Sequence, residues 1–407
     1  MKDERKTAPV IRFNGFSDAW EQRKLGDVAT SFEYGLNASS KEYDGENKYI
    51  RITDINENSH LFNQNNLTSP DIVLINSDNY LLKEGDILFA RTGASVGKSY
   101  CYEEIDGKVY YAGFLIRAKV KQKYDVKFIF QNTLTNRYNN FIQITSQRSG
   151  QPGINAQEYA NFDLHTPKLE EQQKIGTFFK QLDNTIALHQ RKLDTLKLMK
   201  KGFLQQMFPE KGEKVPKLRF ADFEEEWEQR KIRDFLTESK TKGSNGLIAK
   251  KLTVKLWRKG IIAKEEIYSG SSATKYYVRK AGQFMYGKLD FINQAFGIIP
   301  TELDGYESTI DSPAFDFQNE INPHFFFEYI SLRQFYEYQG NIANGSRIAK
   351  RIHTETFFEM PILTPSQEEQ EKIGLFIKQV DSKIDFHQTK LNILNRFKKA
   401  YLQNMFI

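Results

Sequence analysis

EEQQKIGTFFKQLDNTI, residues 170–186, returns almost unchanged as EEQEKIGLFIKQVDSKI at residues 368–384. Aligned without gaps over 169–208 and 367–406, the two stretches share 22 identities in 40 positions. Pro167 and Pro365 stand just ahead of them, and Pro209 follows the first. Paired glutamates occupy the opening turn, where carboxylates suit the positive end of a helix. Apolar residues then recur in heptads. In the first stretch one seam line runs through Phe179, Ile186, Leu193, Lys200 and Met207, the other through Ile175, Leu182, His189, Leu196 and Phe203. In the second the lines are Ile377, Ile384, Leu391, Lys398 and Met405, then Ile373, Val380, His387, Leu394 and Tyr401. Five heptads predict two long helices that pack as a coiled coil. Forty residues at 1.5 Å each span roughly 60 Å.

A second repeated word lies upstream of each helix. Pro9–Asp27 reads PVIRFNGFSDAWEQRKLGD and Pro216–Asp234 reads PKLRFADFEEEWEQRKIRD. WEQRK is identical at Trp20–Lys24 and Trp227–Lys231, an offset of 207, whereas the helices repeat at an offset of 198. The first intervening segment is therefore nine residues longer. Between these words the halves have diverged. KEGDILFA (Lys83–Ala90) against KAGQFMYG (Lys280–Gly287), and LHTP (Leu164–Pro167) against ILTP (Ile362–Pro365), are the traces that remain. The plan is variable, helix, variable, helix. The boundaries it implies are a first variable domain over 1–167, a helix over 168–208, a second variable domain over 209–365 and a helix over 366–407. Chain direction makes the helix pair antiparallel, with a variable domain at either end and a pseudo-two-fold axis between. His189 and His387, equivalent seam positions, are expected close together as polar residues that set register rather than as metal ligands. Kept ends and rewritten middles suit a reader with two different sites; drift in unconstrained domains gives the same pattern.

The variable segments read as mixed α/β. KYIRITDI (Lys48–Ile55), DILFAR (Asp86–Arg91) and FLIRAKVK (Phe114–Lys121) alternate like strands. Lys127–Ile144 and Pro323–Tyr338 read as amphipathic helices rich in aromatics. Three kinds of place suit an anion. Arg91-Thr92-Gly93-Ala94-Ser95-Val96-Gly97-Lys98 is a small-residue loop after a strand, with cations at both ends, so its backbone can approach a phosphate and its arginine a base edge. Gln147-Arg148-Ser149-Gly150-Gln151 is a polar turn before a strand, with a counterpart at Asn344-Gly345-Ser346-Arg347 leading to Lys350 and Arg351. Lys240–Lys259 holds seven Lys and Arg and no acid.

Composition excludes several classes. The 407 residues are 39% hydrophobic and 27% charged, enough for two or three folded domains and against wholesale disorder. A net charge of +6 allows an anionic partner without demanding one. The lone Cys101 excludes an intramolecular disulfide framework and multi-cysteine metal sites, and points to a reducing cytoplasm. MKDERKTAPVIRF lacks the apolar core of a signal peptide, and no run approaches a membrane span. Gly93-Ala-Ser-Val-Gly97-Lys98-Ser99 has three residues between its glycines where a P-loop needs four. Asn322-Pro323-His324-Phe325 lacks the second proline of an adenine methyltransferase loop, and no glycine-rich cofactor loop accompanies it. The six histidines show no metal spacing, and no nucleophile–base set is legible. The chain reads as non-catalytic and metal-free.

On these residues the sequence resembles the specificity (S) subunits of type I restriction–modification systems. The resemblance covers essentially the whole chain. It rests on the WEQRK segments, the helix starts at Pro167–Ile175 and Pro365–Ile373, and the duplicated heptads. The loop Gly85–Gly93 and the turn Ser149–Gln151 also look like that family's recognition domains. The resemblance implies an α+β chain of two mixed α/β target-recognition domains separated by two long antiparallel coiled-coil helices. Each domain would read one part of an asymmetric, bipartite site on double-stranded DNA, and the helices would fix the gap. DNA contacts are expected from Arg91, Thr92, Gly93, Lys98, Arg148, Ser149 and Gln151 in the first domain. In the second they are expected from Lys288, Ser346, Arg347, Lys350 and Arg351. Arg91, Arg148 and Arg347 are the candidates for base contacts, Lys98 and the 240–259 cations for phosphates. Gly287-Lys288-Leu289 departs from the Arg-Thr-Gly pattern. Two modification subunits would dock on the helices with S-adenosylmethionine, and two restriction subunits would bring ATP and Mg2+. The competing reading is a two-headed coiled-coil protein adaptor without DNA binding.

Overall fold

The computed structural model describes residues 8–265, 271–341, 344–345 and 350–407, of which 344, 345 and 350 are described by backbone alone. The chain divides into two compact units, residues 8–192 with 387–407 and residues 193–386. The long helices are continuous over Leu169–Gln206 and Gln367–Asn404. Each therefore contributes its first half to one unit and its second half to the other.

The two repeated words meet in space. In the first unit the strand Glu21–Lys24 pairs antiparallel with Asp163–Thr166, the strand that feeds the long helix, Glu21 opposite Thr166. In the second unit Glu228–Lys231 pairs with Pro361–Thr364 in the same register, Glu228 opposite Thr364. The tryptophan of each WEQRK faces the core. Trp20 packs edge-on against Phe128 at 5.6 Å and Phe406 at 6.4 Å. Trp227 meets Phe325 at 5.5 Å and Phe208 at 6.0 Å. Thus the Met-Phe that closes each long helix (Met207-Phe208 and Met405-Phe406) is buried in the core of the unit where that helix ends. Burying three such rings supplies several kcal/mol per unit, at about 25 cal/mol per Å² of apolar surface.

The repeated Glu-Gln at each helix start has a structural task. Arg12 makes a two-pronged ion pair with Glu171 at 2.7 and 2.8 Å, and Arg219 does the same with Glu369 at 2.8 and 2.8 Å. Gln172 accepts the backbone N–H of Asp125 at 3.1 Å and donates to the Pro167 carbonyl at 2.7 Å. Gln370 repeats this with Asn322 at 3.0 Å and Pro365 at 3.1 Å. Gly176, one turn on, lets the cap residue Asp125 come close: a Cβ there would fall 2.2 Å from its Oδ1. Asn322, the apparent methyltransferase residue, is instead the N-cap of the helix Pro323–Ile330, accepting the N–H groups of His324 and Phe325. With proline in the first turn, the tetrapeptide is a helix start.

Within each unit the long helices run antiparallel. In the first, Phe178 packs on Tyr401 at 5.0 Å, Lys398 pairs with Asp183 at 2.7 Å, and His189 lies against His387 with their Nδ1 atoms 2.8 Å apart. In the second, Phe203 packs on Phe376 at 4.9 Å and Lys200 pairs with Asp381 at 2.7 Å. The seam positions Ile175, Phe179, Leu193, Ile373, Ile377 and Leu391 are buried, and Leu182, Ile186, Val380, Ile384 and both histidines are half-buried. The seam lysines, Lys200 and Lys398, are tolerated because each meets an aspartate of the other helix.

Both units hold a four-stranded antiparallel sheet of the same order. In the first it runs Ala29–Tyr34, Leu115–Val120, Asp86–Ala90, Ser99–Cys101. In the second it runs Leu236–Ser239, Ala314–Phe317, Phe284–Tyr286, Phe296–Ile298. Three sequence expectations need correction. Only Lys48–Ile50 of KYIRITDI is strand, because Asp54 takes the backbone N–H and guanidinium of Arg51 at 2.8–2.9 Å and turns the chain. Lys127–Ile144 is two helices, Val126–Asn132 and Asn136–Thr145, since Thr135 caps a new start. Pro323–Tyr338 likewise breaks at Ser331, into Pro323–Ile330 and Arg333–Asn341.

Candidate nucleic-acid interface

The loop after the strand Asp86–Ala90 is built against the polar turn. Thr92 bridges Gly153, Gly93 N–H donates to the Pro152 carbonyl at 2.9 Å, and Ile154 N–H donates to the Arg91 carbonyl at 2.9 Å. Gly93 has φ +70°, and a Cβ there would lie 2.8 Å from Nε2 of Gln151. Glycine is needed twice over, for the left-handed backbone and for that close approach. The far end of the loop is clamped by two buried phenols. Tyr159 donates to the Ala90 carbonyl at 2.7 Å and accepts Gly97 N–H at 3.1 Å, while Tyr138 donates to the Gly97 carbonyl at 2.9 Å. Burial pushes both phenols above the usual tyrosine range, so they remain donors.

The side chains this frame presents form a mixed surface. Arg91 lies over the Tyr34 ring at 4.9 Å, a cation–π contact. Its backbone N–H donates to Phe114 at 3.0 Å, and the Phe114 ring is 60% exposed. Thr92 and Lys98 are half-exposed, and Arg148, Ser149 and Gln151 are exposed. Arg148 is engaged locally. It donates to the carbonyls of Thr145 and Gln147 at 2.8 and 2.9 Å and pairs with Glu158. Tyr34 and Phe114 escape the sequence reading because isolated aromatics in a Phe- and Tyr-rich chain look like core.

Backbone bonds identify the same place in the second unit. Lys288 N–H donates to Asp311 and its carbonyl accepts Ile352 N–H, both at 2.9 Å, as Arg91 does with Phe114 and Ile154. Lys288 is thus the positional equivalent of Arg91, and Asp311 of Phe114. The surroundings differ. Lys288 is only 7% exposed, which corrects the expectation of a solvent-facing contact there. Burial lowers its pKa, opposed by the nearby carboxylates of Glu238 and Asp311. Those carboxylates are themselves matched: Arg351 pairs with Asp311 at 2.7 Å and Lys240 with Glu238 at 3.0 Å. Ser346 and Arg347 lie outside the described residues, and Lys350 is placed by its backbone pairing with Gly345 alone. Of the 240–259 cations, Lys251 is buried and Arg258 is tied to Glu328 at 2.7 Å, while Lys242, Lys250, Lys255 and Lys259 are exposed.

Among the described residues no helix is long and apolar enough to cross a membrane, and no group of three or more His, Cys, Asp or Glu is placed to hold a metal ion.

Residues 17–198 match the family model for the type I restriction modification DNA specificity domain. Over that stretch, somewhat under half of the chain, the protein is similar to type I restriction–modification DNA specificity domains. The S subunit of a type I restriction–modification system from M. genitalium has the same fold, with a TM-score of 0.66 at 12% identity over 98% of this chain and 99% of that one. The HsdS subunit from Thermoanaerobacter tengcongensis aligns over 95% of this chain and 96% of its own, at 14% identity and a TM-score of 0.43. The matched stretch spans the first sheet, its loops and most of the first long helix. The repeated words beyond it extend the same frame to the second half.

Proposed function

We propose that the two units read different parts of one asymmetric DNA site, and that the paired helices set the unread gap and dock two modification subunits. The carrying observation is one frame with two unlike reading places. Arg91, Tyr34 and Phe114 occupy it in the first unit, Lys288, Glu238 and Asp311 in the second. In the first, an arginine suits the acceptor pair of a guanine in the major groove. Lys98 and the exposed lysines of 240–259 suit phosphates. In the second, a compensated cluster presents a different pattern of charge, so a palindromic site is not expected. This chain supplies the address. The modification subunits bring S-adenosylmethionine and adenine N6 methylation, and two restriction subunits bring ATP, Mg2+ and cleavage, all in the cytoplasm. No metal or cofactor is assigned to the chain itself.

Mapping methylated adenines in a host with and without the chain tests this reading. Loss of one bipartite, non-palindromic motif is the expected result; an unchanged methylation map refutes it. Within that assay Arg91→Ala is expected to weaken specific binding by about 1–3 kcal/mol and to relax one base position. Equal affinity and an unaltered motif would remove Arg91 from the interface.

A further inference from the structure

In the second unit the strands Leu252–Val254 and Ile261–Ala263 form a hairpin, with Lys255-Leu256-Trp257-Arg258-Lys259-Gly260 at its tip. Trp257 and Arg258 have φ of 59° and 56°, the left-handed region that residues with a Cβ occupy reluctantly. Neighbouring backbone holds them there. Trp257 N–H donates to the Asn293 carbonyl at 2.8 Å, and Arg258 N–H to that of Gln294 at 3.1 Å. The Arg258 side chain is fixed as well. Its guanidinium lies 4.6 Å over the Phe327 ring and donates to Oε1 of Glu328 at 2.7 Å. That nearly buried oxygen also takes Nζ of Lys200 at 3.0 Å, and Lys200 belongs to the long helix and pairs with Asp381. A strained tip is thus tied to the frame of its unit through a buried carboxylate.

The conformation leaves the Trp257 ring in water. It is 57% exposed, against 4% for Trp20 and 1% for Trp227. Lys255 and Lys259, both exposed, flank it. Rigid strain at a solvent-facing site points to function rather than packing. An indole between two ammonium groups matches the sugar and base faces of a nucleic acid bordered by phosphates. We propose that this tip is a DNA contact of the second unit. The indole of Trp257 packs against the duplex, Lys255 and Lys259 meet phosphates, and Arg258 positions the ring without touching DNA. The inference rests on the DNA-reading function and adds to it a contact made by side chains other than those of the Lys288 cluster.

The three tryptophans make the test direct, because Trp257 alone is open to an aqueous quencher. Acrylamide quenching of the full chain, free and assembled with its modification subunits, is followed as a mixed-sequence 30-base-pair duplex is added at low salt. Anisotropy of labelled duplex reports binding in parallel. The expected result is at least threefold protection of the quenchable fluorescence on DNA binding, absent in Trp257→Phe. Trp257→Ala and Lys255→Ala/Lys259→Ala should each weaken binding at least fivefold. Arg258→Ala should leave Trp257 quenchable but reduce its protection. Duplex binding with Trp257 still fully quenchable overturns the tip contact and leaves the DNA reading intact. Protection by modification subunits without DNA also overturns it, in favour of a protein contact. No duplex binding in either form overturns both.

Discussion

If the proposed function holds, the chain with one heptad inserted in each long helix will stop directing methylation to its native site and will direct it to a site whose gap is about three base pairs longer. The places are between Lys192 and Leu193 and between Phe386 and His387, where each helix passes from one unit to the other. Seven residues are within about 20° of two full turns, so the seam keeps its face. They add roughly 10 Å of helix, which is about three steps of ~3.4 Å along a DNA strand. Pairings on either side survive, because His189–His387 and Asp183–Lys398 lie on one side and Lys200–Asp381 and Phe203–Phe376 on the other. Methylation at the original motif should fall by ~100-fold or more, since one half-site is then misplaced by several base pairs. An insertion in one helix only should be worse, because it slides one seam past the other. Sequencing of methylated adenines decides it: full methylation at the native gap with the doubly inserted protein would mean that the helices do not set the spacing.

Arg12→Ala should destabilise the first unit by about 3–5 kcal/mol, and Arg219→Ala the second by a similar amount. Each change strands a carboxylate, Glu171 or Glu369, whose side chain is 1% exposed and whose two oxygens are both held by the lost guanidinium. The interaction ties the segment ahead of WEQRK to the first turn of a long helix, so its loss also loosens the strand pairing of Glu21–Lys24. Urea unfolding at neutral pH reads the loss. The doubles Arg12→Ala/Glu171→Gln and Arg219→Ala/Glu369→Gln should recover much of it, because no bare charge then remains buried. A loss below about 1 kcal/mol in the single variants would show that water reaches these carboxylates and that the pairs act as surface bridges.

What the sequence carried clearly was whatever it states twice. The long helices fall within three residues of the boundaries read from the sequence, and WEQRK, Glu171-Gln172 and Glu369-Gln370 prove to be parts of one joint. Repetition separated the frame from the candidate recognition surface, because side chains that meet each other must change together whereas side chains that meet a partner change freely. Periodicity also placed His189 beside His387, since an antiparallel pair with equal heptads brings equivalent positions together at its middle. Where local bonds compete with pattern, pattern failed. Asp54 turns the chain after Ile50, and Thr135 restarts a helix inside an unbroken amphipathic run.

The candidate interface was legible only as loops. That the Arg91 loop and the Gln151 turn would meet depends on bonds between residues some sixty positions apart, which no spacing rule encodes. Charge alone did not distinguish a cation that faces water from one already spent on a carboxylate. Lys288 and Arg258 looked like Lys98 and Lys259 in the sequence, and burial beside Asp311, Glu238 or Glu328 is what separates them. The exposed rings of Tyr34, Phe114 and Trp257 were hidden for the converse reason, because an aromatic residue reads as core until its neighbours are known. The chain's order of residues therefore determined the helices, their direction and the duplicated joint, through contacts that are local or repeated. Tertiary structure decided which polar and aromatic groups are left facing solvent, because exposure is a property of everything packed around a residue and is written in no single segment.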